Sequence, residues 1–144
     1  MIEQDTIRLL RECDSGVKMG ISSIGDVIGH VSSPELKKLL QDSSGQHERL
    51  GEELRRLLEE YRDEGKEPAA MAKGMSWLKT NIKLTADSSD NTIADLMTDG
   101  CDMGIKSLSK YLNMYQAADE RSKDLAKRVI SAEEELRKGV RDFL

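Results

Sequence analysis

The chain is poor in the residues that mark most kinds of site. Its 144 residues include only two cysteines, two histidines, two prolines, one tryptophan, three tyrosines and one phenylalanine. Cys13 and Cys101 are far apart and form neither a CxxC pair nor a zinc-ligand spacing. In a reducing compartment two core-facing thiols act as small apolar residues, not as a redox pair. There is no run of about 18 apolar residues, so no segment reads as a membrane span. The opening MIEQDTIRLL has neither the basic start nor the apolar centre of a secretion signal, which makes the cytoplasm the expected location. Net charge is −5, with Lys and Arg interleaved among Asp and Glu. That pattern lacks the clustered positive charge that nucleic acid requires. A glycine-rich phosphate loop, a Gly-x-Ser-x-Gly turn and an HExxH pair are all missing, so no catalytic residue is assigned.

What the chain has is helical periodicity. Leu10, Cys13, Val17, Gly20, Ile24, Val27 and Val31 repeat at three- and four-residue steps, which predicts a helix over roughly 3–31. Ser32-Ser33-Pro34-Glu35 ends it and caps a second helix running to about Arg62. So short a link makes these two antiparallel neighbours. A third long helix begins after the breaker cluster Ser88-Ser89-Asp90-Asn91, and a fourth begins near Asp119. Between the second and third, residues 66–90 carry Met71, Met75, Leu78 and Ile82 on one seam. This stretch reads as a lengthwise crossover with a short helix of its own, a ferritin-type connection. The expected fold is all-α, a single-domain four-helix bundle over 1–144 with a long crossover.

The second helix carries the one irregularity. Its seam reads Leu36, Leu40, Ser43, His47, Leu50, Leu54, Leu57, Tyr61, so two polar residues replace leucines at its centre, beside the small Ser44 and Gly51. A di-iron carboxylate bundle takes a Glu from each of two helices and a Glu-x-x-His from each of the others. Against that template the set is incomplete. The second helix offers Ser44-x-x-His47 without the acid, and the fourth offers Glu133 or Glu134 without a histidine, with Arg137 nearby to repel a cation. The candidate metal ligands are His47, Asp14, Asp102 and Glu133, for iron or manganese, and no bound metal is expected from so short a set. A satisfied core histidine at 47 implies that His47→Leu is neutral or stabilising. Small side chains at Ser43, Ser44 and Gly51 would leave room for a small ligand of unspecified identity. The glycine pairs Gly16/Gly20, Gly25/Gly29 and Gly100/Gly104 form flat strips suited to close helix contact, within the chain or across a homodimer.

The four-helix spacing, the central His47, and the runs Gly74-Met75-Ser76-Trp77-Leu78-Lys79 and Asp99-Gly100-Cys101-Asp102-Met103-Gly104 resemble the ferritin-like superfamily. More narrowly, they resemble its small bacterial bundle proteins of the domain-of-unknown-function type. The resemblance implies a self-associating four-helix bundle, with two irons bound in members that have the full ligand set. This chain departs at Ser44 and Arg137, which implies a structural or protein-interaction role rather than metal chemistry.

Overall fold

The structure is a computed structural model and describes residues 2–68 and 89–144. It contains four long helices: α1 (Ile2–Ile28), α2 (Pro34–Glu60), α3 (Asp90–Met114) and α4 (Glu120–Val140), followed by a single 3-10 turn (Arg141–Phe143). Every described element is helical. None of these helices is long and apolar enough to cross a membrane. The expected short helix on the Met71 to Ile82 seam falls outside the described residues.

Local chemistry sets the helix starts. Ser33 Oγ accepts from the Leu36 N–H at 3.2 Å, and Pro34 occupies the first turn, where its missing N–H costs nothing. Asp119 Oδ1 accepts from the Ser122 N–H at 2.8 Å at the head of α4. After α2 the chain turns through Arg62 and Gly65, both at positive φ, and runs back along α1. Asp63 pairs with Arg11, the Lys66 N–H donates to Asp14 at 3.0 Å, and Lys18 reaches Glu67 at 3.1 Å.

Contacts between helix ends fix the directions. Asp90, the first residue of α3, accepts the Ser32 and Ser33 N–H groups at 2.8 and 2.9 Å, immediately before α2 begins. At the far end the Asp119 N–H donates to Thr6 Oγ1 at 2.8 Å, and Tyr61 OH donates to Asp119 at 3.3 Å. Hence α2 and α3 start at the same end and run parallel, and both run against α1 and α4. The packed sides are α1 on α2, α2 on α4, α4 on α3 and α3 on α1, so α2 and α3 occupy opposite corners.

The core divides in two. Leu9, Leu10, Leu50, Leu54, Leu125 and Val129 fill one end, and Ile24, Leu36, Leu40, Ile93, Leu136 and Val140 fill the other. Between these apolar layers lies a waist made from residues that the heptad pattern fills with polar or very small side chains.

Candidate functional site

The seam of α2 turns inward along its whole length, so the residue at its centre must go inward too. His47 is fully buried. Its Nδ1 lies 2.8 Å from the Ser43 carbonyl, and its Nε2 lies 2.6 Å from Glu133 Oε1 of α4. A carbonyl oxygen only accepts, so Nδ1 carries a proton and donates it. The short Nε2–Oε1 contact then needs a second proton, held either on the imidazole or on the carboxyl. Both arrangements leave the pair with zero net charge, which is how two ionisable groups are tolerated in an apolar interior. Burial pulls the His47 pKa down, but the hydrogen bond and charge of Glu133, helped by the Ser43 carbonyl, outweigh it and the net shift is upward.

The pair fits only because α1 presents Gly20 to it. A Cβ at position 20 would lie 2.7 Å from His47 Cδ2 and 2.9 Å from Nε2. On the other side, a Cβ at Gly104 of α3 would lie 3.5 Å from Glu133 Oε2. Cys101, one turn earlier on α3, is buried beside the same carboxylate. Burial first, then the charge of Glu133 and a hydrogen bond to it, push this thiol well above its usual pKa. Cys13, in the first apolar layer, is pushed up to about 12, chiefly by burial. Neither sulfur is activated as a nucleophile.

The four candidate metal ligands do not converge. His47 and Glu133 meet, but Asp14 is bound to Lys18 Nζ at 2.8 Å and to the Lys66 N–H. Asp102 is half-exposed and paired with Arg137 at 2.8 Å. Among the described residues, no group of three or more His, Cys, Asp or Glu side chains is placed to hold a metal ion. Two donors already joined through a proton do not make a di-iron centre, which needs six. The residues present do not fit that group.

A cavity of about 330 Å³ opens beside the pair, between α1 and α3. It lies away from Ser43, Ser44 and Gly51; the space at Gly51 is taken by Val17, whose Cγ1 would stand 3.3 Å from an added Cβ. Gly16, Gly20, Gly100 and Gly104 line it, with Glu133 and Cys101 at its inner end. Among the described residues the glycines of α1 and α3 thus border a hollow. Gly20, Gly104 and Cys101 were not picked out as site residues. The signal available for Gly20 was its place on the seam of α1.

No family model, curated protein or solved structure matches the chain.

Proposed function

We propose that this chain is a ferritin-like four-helix bundle with a non-enzymatic binding or interaction role, its central site held by a shared proton in place of iron or manganese. The observation that carries this reading is the 2.6 Å contact between His47 Nε2 and Glu133 Oε1. It uses up the two groups best placed to ligate a metal, while Asp14 and Asp102 are engaged with Lys18 and Arg137. The parallel course of α2 and α3 supports the ferritin-like part, because α2 ends and α3 begins at opposite ends of the package. Self-association as a homodimer is part of the same reading. Among the described residues nothing lies within 4 Å of a Cβ added at Gly25 of α1 or at Gly29 just past its end, leaving open ground where a second backbone could come close.

Elemental analysis of protein expressed in iron- and manganese-replete medium tests the central claim. The expected result is less than about one metal per ten chains, unchanged in His47→Ala. Stoichiometric iron or manganese that disappears in His47→Ala would replace this reading with a metal-binding oxidase or storage protein. Light scattering behind size exclusion tests the dimer, and a monomer at high concentration removes it.

A further inference from the structure

We infer that the strap Asp63–Pro68, which follows α2, is a latch: seated on α1 it closes one end of the cavity between α1 and α3, and its release admits solvent to that cavity.

The strap is tied to α1 at two depths. Toward the surface Asp63 pairs with Arg11, Lys66 Nζ with Glu12 at 2.6 Å, and Glu67 with Lys18 at 3.1 Å. Ion pairs in such wet positions hold weakly. The tie beneath them is of another kind. Asp14 is 5% exposed, accepts the Lys66 N–H at 3.0 Å, and has its charge balanced by Lys18 Nζ at 2.8 Å. A main-chain donor bound to a buried carboxylate fixes the chain itself and not merely a side-chain tip. That bond requires the backbone to come very close to Asp14, and Gly65 makes the approach possible. It has φ +86°, and a Cβ there would fall on Asp14 Oδ2, at 3.0 Å from Cγ and 3.4 Å from Leu58 Cδ1. One buried acceptor and one glycine therefore decide whether the strap is seated.

What the latch controls follows from where it ends. Pro68 stands in the cavity wall together with Glu12, the residue that Lys66 holds, and Tyr111 of α3. Residues 69–88 lie outside the described residues and follow Pro68 directly, so whatever course they take begins from the strap. The chain carries its own reporters of opening. Cys101 is 1% exposed and lines the cavity, so its thiol registers entry of solvent there. Cys13 is fully buried in the apolar layer with Leu9, Leu10 and Leu54, and registers opening of the core as a whole. Local opening of a wall and global unfolding are thus distinguishable in one molecule.

Gly65→Ala and Asp14→Ala, each in the full chain, test the latch. Hydrogen exchange of the Lys66 amide reads whether the strap is seated, and iodoacetamide labelling with peptide mass analysis reads each thiol. In both variants the Lys66 amide should lose its protection, and Cys101 should label about tenfold or more faster than in the wild type. Cys13 should keep its wild-type rate. Gly25→Ala, a change on α1 away from the strap, should speed neither thiol. An unchanged Cys101 rate with the Lys66 amide exposed overturns the proposal, because the strap is then free and the cavity still closed. Equal acceleration of Cys101 and Cys13 overturns it too, since the core then opens as one unit. So does a Lys66 amide that stays protected in both variants. If neither variant folds, the wild type in urea below its unfolding midpoint decides. There Cys101 labelling should rise with Lys66 exchange and ahead of Cys13, and a joint rise of both thiols rejects the latch.

Discussion

Gly20 faces the His47 ring so closely that a methyl group at position 20 would come within 3 Å of two ring atoms, Cδ2 at 2.7 Å and Nε2 at 2.9 Å. The ring is held by hydrogen bonds at both nitrogens and cannot swing aside without breaking one. Gly20→Ala should therefore cost about 1–3 kcal/mol through overpacking, despite the better helix propensity of alanine. Gly25→Ala, on the same helix with open space at its Cβ, should instead gain roughly 0.5–1 kcal/mol. Urea unfolding of the two variants gives the comparison; equal effects would mean that the Gly20 contact carries no weight.

Removing one partner of the pair differs from removing both. His47→Leu alone strands the Glu133 carboxyl against hydrocarbon and should cost about 3–5 kcal/mol. The neutral outcome expected for a satisfied histidine belongs to the double replacement, His47→Leu with Glu133→Leu, which should be no less stable than the parent. A double-mutant cycle measures the coupling, and additive effects would contradict the contact.

The upward shift of the His47 pKa ties stability to pH. A group whose folded pKa exceeds its unfolded value stabilises fully below the unfolded value, here the ordinary 6.5, and loses that contribution as pH rises through the folded pKa. The wild type should thus lose stability on going from mildly acidic to alkaline solution. The double-leucine variant should lack that component. Denaturant midpoints across this range, with the variant as reference, check the sign.

Both thiols should be inert in the folded protein. Cys13 and Cys101 are buried, with raised pKa values. At mildly alkaline pH, iodoacetamide should label neither in the native state and both in concentrated guanidinium chloride, as read by intact mass. Rapid native labelling of Cys101 would show that the cavity wall opens.

Much of this arrangement is written in the helix periodicity. The seams predicted the faces that α1 and α2 bury, and the Ser33 and Asp119 caps fall where the sequence places them. His47 stood out because it interrupts leucines. Its partner was harder to identify. Glu133 sits on the flank of the α4 seam, and spacing along one helix says which side a residue occupies, not which neighbour it meets across the package. For the same reason Asp102 was grouped with the inward carboxylates although Arg137 holds it near the surface. The tie between Asp14 and Lys18 is an i,i+4 pair and was legible in principle. The glycine strips carry less information about their neighbours. Small residues permit close approach but do not compel it, and here Gly16, Gly20, Gly100 and Gly104 border an open space.

His47 belongs to the first αα-hairpin, α1 with α2, and Glu133 to the second, α3 with α4. Leucine-rich seams alone would let these hairpins slide past each other by a turn at little loss, since one apolar side chain replaces another. A shift of one turn carries Glu133 about 5.4 Å along the axis. It would leave an imidazole and a carboxyl facing hydrocarbon on both surfaces. The His47–Glu133 contact at the waist therefore acts as an index mark, permitting one alignment of the two halves and penalising the rest.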